Sequence, residues 1–219
     1  MKILKITSML LLLVCFMACK KESINKALDF KQYAIVGKYY QYLFSGDKEL
    51  PFIISFGANN TTSYWSADVH FEGKYTLKGD VLTLIYGPGE TKWEFKVEGE
   101  QVKAISGLRF ADHGLKKVPD VNTLNGHNYS GFLTKQVDHT RALVNLKFAI
   151  DLYGEIPSIG NVIPDVNYTL ISNMAAVSKV GVGGSTKSIF IAMGNVLQVA
   201  RIAPGANGFN YSIGTLNKN

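Results

Sequence analysis

The chain carries the same run of residues twice. Asn167-Tyr168-Thr169-Leu170 repeats Lys74-Tyr75-Thr76-Leu77, and Thr186-Lys187-Ser188-Ile189-Phe190 repeats Thr91-Lys92-Trp93-Glu94-Phe95. Gly194 repeats Gly99, and Gly126-His127-Asn128-Tyr129 answers Gly37-Lys38-Tyr39-Tyr40. The spacing between matched residues grows from 89 at Gly37/Gly126 to 95 at Gly99/Gly194, so loops lengthen while the order is kept. A tandem copy constrains the fold strongly: each copy either closes its own core or shares one with its neighbour.

The period inside the copies is two. Trp93, Phe95 and Val97 alternate with Lys92, Glu94, Lys96 and Glu98. That is the pattern of a strand with one face on a core and one in water. Phe52–Phe56, Tyr64–Phe71, Lys74–Lys78, Val81–Tyr86 and Val102–Ile105 read as further strands, as do Tyr40, Tyr42 and Phe44 by their alternation. Turns are expected at Ser45-Gly46-Asp47, Gly57-Ala58-Asn59-Asn60, Gly79-Asp80, Gly87-Pro88-Gly89 and Gly99-Glu100. In the second copy Val144, Leu146, Phe148 and Ile150 alternate, and a Gly/Pro-rich loop is expected from Tyr153 to Pro164. No long helical period runs through the chain after its N-terminus. The expectation is an all-β protein of two tandem antiparallel meander or barrel modules, over residues 35–118 and 122–219, with a seam at Val118-Pro119-Asp120. One large sandwich or barrel formed by both repeats is the alternative.

The N-terminus reads as an address. Lys2 and Lys5 precede an apolar run, Met9 to Met17, too short to span a bilayer as a helix. Phe16-Met17-Ala18-Cys19 follows, with a small residue before the cysteine. This resembles the lipobox of Gram-negative bacterial lipoproteins. The resemblance implies a signal peptide over 1–18, acylation of Cys19, a tether over 19–34 and a membrane anchor. Lys20, where an aspartate would signal inner-membrane retention, implies the outer membrane. Cys15 would leave with the signal, so no thiol would remain for a disulfide or a nucleophile.

The order of strands resembles lipocalin-like lipoproteins. The residues that carry this are Gly37 to Tyr40, Phe52 to Phe56, Gly73 to Leu77, Leu82 to Leu84, and Trp93 to Val97. The resemblance implies an up-and-down meander closing on itself around a core or a small cavity.

The charge is unevenly spread. Residues 1–36 hold six lysines against two acids, residues 37–120 hold 10 basic and 11 acidic side chains, and residues 121–219 hold 7 and 4. The positive excess therefore falls largely in leader and tether, not on a folded face suited to nucleic acid. The charged face Lys92/Glu94/Lys96/Glu98 becomes Lys187/Ile189/Ile191/Met193 in the second copy. Ile189, Ile191 and Met193 are thus expected to form an apolar interface, either against the first module or with a partner protein or an apolar ligand.

No catalytic, metal or cofactor signature emerges. Gly181-Val182-Gly183-Gly184-Ser185-Thr186 lacks the lysine placement and following helix of a phosphate loop, so a hairpin turn is expected. Asp112-His113 and Asp138-His139 are sequential pairs, whose side chains point to opposite faces of a strand. Aromatics are the candidates that remain: Tyr40, Tyr42, Trp65 and, on the inner face, Trp93 are expected to line a ligand site. The function expected is a lipid-anchored, non-enzymatic envelope protein that binds a small apolar or saccharide ligand or an envelope protein. The alternatives are an assembly protein docking an outer-membrane partner through the apolar face, and a hydrolase whose paired carboxylates the spacing does not reveal.

Overall fold

The structure, a computed structural model, describes residues 28–43, 46–67, 69–158, 160–206 and 208–219. The signal peptide, Cys19 and most of the expected tether lie outside the described residues.

The first copy forms β1 (Tyr33–Leu43), β2 (Gly46–Phe56), β3 (Thr61–Ser66), β4 (His70–Lys78), β5 (Val81–Tyr86), β6 (Thr91–Glu98), β7 (Gln101–Ser106) and β8 (Phe110–Lys117). The second forms β9 (Asn128–Lys135), β10 (Arg141–Phe148), β11 (Leu152–Ile156), β12 (Val166–Asn167), β13 (Thr169–Ser172), β14 (Ala175–Val180), β15 (Thr186–Met193), β16 (Val196–Gly205) and β17 (Gly208–Lys218). Every pairing is antiparallel, in two sheets ordered β7-β6-β5-β4-β3-β2-β1-β8 and β12-β11-β10-β9-β17-β16-β15-β14-β13. In each copy the first strand pairs with both the second and the last, so each sheet curls into a nearly closed barrel. The all-β, two-barrel expectation holds.

The copies correspond strand for strand once β12 and β13 are read as one broken strand. Lys74-Tyr75-Thr76-Leu77 lies within β4, whereas Asn167-Tyr168-Thr169-Leu170 spans the β12/β13 break. The repeated pair Gly99 and Gly194 turn β6 into β7 and β15 into β16, with φ of 63° and 62°. A side chain with a Cβ is strained in that left-handed region, so both copies keep glycine. Gly37 and Gly126 do not occupy equivalent places. Gly37 lies inside β1, where an added Cβ would stand 2.0 Å from the Asp112 carbonyl oxygen, while Gly126 turns the chain ahead of β9. The likeness of the two Gly-x-x-Tyr runs is one of sequence and not of place.

The barrels split at different points. In the first, β7 and β8 stand side by side without a backbone ladder, and the Ala104 amide donates to His113 Nε2 across the gap at 3.0 Å. In the second, the break at Tyr168 is the opening, bridged by Ser178 Oγ donating to the Asn167 carbonyl at 2.8 Å.

Rings fill the first barrel. Tyr39, Phe52, Tyr64, Tyr86, Trp93 and Phe95 are all buried, and Tyr64 meets Trp93 edge-on at 5.0 Å. Burial pushes the Tyr86 phenol well above its ordinary range, a shift partly offset by the Thr62 hydroxyl. A second aromatic set, Tyr129, Phe148, Tyr153 and Phe190, fills the other barrel with Leu124 of the linker and Leu197. Leu124 plugs that barrel, and the linker is tied down: Thr123 Oγ1 donates to the Asn173 carbonyl at 2.9 Å, and Asn173 Nδ2 to the Pro119 carbonyl at 2.9 Å.

Four details depart from the expectations. The single strand expected over 64–71 is a hairpin: β3 ends at Ser66, β4 begins at His70, and Tyr64 pairs with Phe71 across it. The expected tether over 19–34 is part of the barrel at its far end: Phe30 and Ala34 are buried in the core, because the Phe30 ring closes the barrel against Phe56 and Tyr75. Tyr153 belongs to a strand and not to the expected Gly/Pro loop, since β11 pairs with β10 at Phe148 and buries the Tyr153 ring. Ile150 lies past the end of β10 and is 73% exposed.

Candidate functional site

The expected ligand-site aromatics do not meet. Trp93 is a core residue of the first barrel, 3% exposed. In β1 the inward ring is Tyr39, packed on Phe52 and Tyr64, so Tyr40 points outward and carries the Arg109 guanidinium over its face at 5.5 Å. Adjacent tyrosines leave the phase of a strand open, and here it is one residue from the expected one. The Tyr42 side chain lies outside the described residues. Among the expected residues whose side chains are described, Trp65 stands at an opening, half-buried on the outer face of β3.

The apolar face of the second copy is covered. Ile189 and Ile191 are fully buried and Met193 packs beside them, in one cluster with Val36 and Ile53 of the first barrel. β2 lies against β15 and β16, and Ala200 and Ile202 complete the contact. Burying a side chain of this kind contributes about 1.5–3 kcal/mol. The first module therefore occupies the surface that the sequence leaves open to either module or partner.

Beside this contact the two barrels leave two crevices. The larger, about 250 Å³, lies between Ser55, Thr61, Ser63 and Glu72 of the first copy and Ile171 and Ser172 of the second, with Val118 of the linker at its edge. The smaller, about 100 Å³, lies between Trp65, Ala67 and His70 on one side and Val177, Lys179 and Lys187 on the other. Their walls are joined by hydrogen bonds. Trp65 Nε1 donates to Ser63 Oγ at 3.2 Å, and the Ser63 and Ser55 hydroxyls are hydrogen-bonded to each other at 2.8 Å. The His70 ring stacks on the indole of Trp65 at 3.6 Å, and its Nε2 is held by the Glu72 carboxylate. The serine hydroxyls retain capacity to donate and accept, so these walls suit a polar ligand.

Arg201, Asp138 and His113 have structural partners. Arg201 grips Glu155 with both terminal nitrogens and turns Nε to Ser188 Oγ at 3.2 Å, so neither charge is a free acid or base. The Asp138 carboxylate accepts from the Thr140 hydroxyl, the Thr140 amide and Lys135, and these bonds hold it well below the usual carboxylate range. It ties a turn together and does not serve the neighbouring His139. His113 accepts from a backbone amide, which places its proton on Nδ1, and burial lowers its pKa against a small opposing effect of Asp112. Among the described residues no three His, Cys, Asp or Glu side chains gather as metal ligands. Gly181–Thr186 forms the expected hairpin connection, around a short turn at Val182–Gly184 between β14 and β15.

Compared with known proteins, the chain matches no family model, no curated protein and no solved structure. Its function has to be read from the arrangement itself. The seam is the candidate site, and sequence reasoning found only Trp65 of it. Ser55 and Ser63 were invisible because small hydroxyls on strands carry no periodic signal, and Lys179 and Lys187 because their setting depends on how one copy lies against the other.

Proposed function

We propose that this protein is a lipid-anchored, non-enzymatic binding protein of the cell envelope whose ligand seats between its two barrels. The observation that carries the reading is the contrast between filled interiors and an open, hydroxyl-rich seam. Aromatic rings occupy the space a lipocalin-like cavity would use, while Ser55, Thr61, Ser63 and Ser172 stand around the larger crevice with Trp65 close by. Small-ligand sites occur preferentially at junctions between domains. The anchor rests on the resemblance of Phe16 to Cys19 to a lipobox, and the outer membrane on Lys20.

Both halves of the reading have a direct test. Mass spectrometry of the N-terminal peptide from a Gram-negative host is expected to find an acylated Cys19, and Cys19→Ala is expected to leave the membrane fraction. Calorimetric titration of the full-length protein in detergent with short oligosaccharides is expected to give saturable binding. Substituting Ser63 by Val is expected to weaken it about tenfold, the scale of one or two lost hydrogen bonds. An unmodified Cys19, or binding indifferent to Ser63→Val, would remove the corresponding half.

A further inference from the structure

We infer that the two crevices are one groove, and that it takes an acidic oligosaccharide laid along β3 with its carboxylates at Lys179 and Lys187. This rests on the reading of the seam as a ligand site and narrows it to a ligand class.

Continuity comes from β3 itself. Ser63 lines one crevice and Trp65 the other, two residues apart on the same outward face and hydrogen-bonded to each other. From Thr61 to Ser66 β3 runs about 16 Å at ~3.3 Å per residue. That length suits a chain of sugars and exceeds a single ring. Hydroxyls at one end and the rigid Trp65–His70 stack near the other offer both surfaces of a sugar a partner: its hydroxyl edge and its apolar face.

The charge comes from a difference between the copies. Lys187 repeats Lys92, and in the first copy Lys92 pairs with Glu94 at 3.2 Å. In the second copy Ile189 stands where Glu94 would be, so Lys187 has lost that counter-ion. Across the ladder, Ile85 faces Lys92, but Lys179 faces Lys187. One acid has been removed and one base added at the same spot, which now borders the groove. Among the described residues no carboxylate pairs with either lysine. Like charges directly opposite on paired strands destabilise the sheet, and a bound carboxylate relieves the repulsion.

The test uses the full-length protein in detergent micelles, titrated with tetragalacturonate and with the neutral galactose tetramer. Calorimetry and tryptophan emission are read together. The acidic tetramer is expected to bind at least about tenfold more tightly, with the difference shrinking as salt is raised. The double variant Lys179→Gln/Lys187→Gln is expected to lose that difference while its circular dichroism stays unchanged and its melting temperature does not fall. Trp65→Phe is expected to abolish the emission change, since Trp93 is sealed in the barrel. Equal binding of the two tetramers would overturn the acidic class and leave the seam as a ligand site. Full competition by inorganic phosphate at matched ionic strength would also overturn it, reducing the lysines to a simple ion sink. Failure of both tetramers to bind would remove this inference and the oligosaccharide site together.

Discussion

His113 holds the first barrel's seam with a lone pair. Its Nε2 accepts from Ala104, and Phe95 and Phe110 flank the ring at 5.9 and 5.2 Å. Burial of the ring holds the histidine's pKa below its ordinary 6.5, and a protonated imidazole has no lone pair to offer Ala104, so the fold suits the neutral form. The sign of the pH effect follows. The contribution is complete above about pH 6.5 and is lost as pH falls through the lowered folded value, because the unfolded chain takes up the proton first. Urea midpoints measured between about pH 7.5 and 5 are expected to fall with acidity, and His113→Leu to flatten that slope while lowering stability at neutral pH. A slope unchanged in the variant would assign the acid sensitivity elsewhere. Aromatic neighbours also explain why residue-level reading went astray at Tyr40: Tyr39 and Tyr40 carry the same apolar ring, and only the ladder decides which one turns in.

At the scale of the element, β6 and β15 are the same strand in two surroundings. Trp93 and Phe95 are buried in one, and their counterparts Ser188 and Phe190 in the other, so the inward faces match in burial. The outward faces differ, and the difference was legible from composition: Lys96 is solvated and pairs with Glu98 at 2.8 Å, whereas its counterpart Ile191 is buried. Ile191→Ala is therefore expected to cost about 2–4 kcal/mol in chemical denaturation, the range for emptying a core site. Lys96→Ala is expected to change stability by less than about 0.5 kcal/mol, as surface substitutions do. Similar losses at the two positions would show that the repeat does not place them in different surroundings. Which body covers Ile191 was beyond the reach of the sequence, since periodicity reports that a face is dry and not what dries it.

At the scale of the molecule, the two barrels share buried surface and a tethered linker, so they are expected to unfold together. Both tryptophans lie in the first copy, whereas circular dichroism reports strands of both. In the native protein the two signals are expected to give one coincident urea transition. Ile189→Asp places an unpaired charge in the shared contact and is expected to separate them, with emission and dichroism reporting different midpoints. Coincident curves in that variant would mean that the linker, not the contact, couples the barrels.

The interruption at Tyr168 has a consequence for assembly. Tandem copies of one fold run the risk of exchanging strands, because each copy can satisfy its neighbour's hydrogen bonds. Here the copies open at different seams: the first between β7 and β8, the second at a strand snapped into pieces of two and four residues. A strand released from one ring finds no gap of its own shape in the other, so mistaken kinship between the halves leads nowhere.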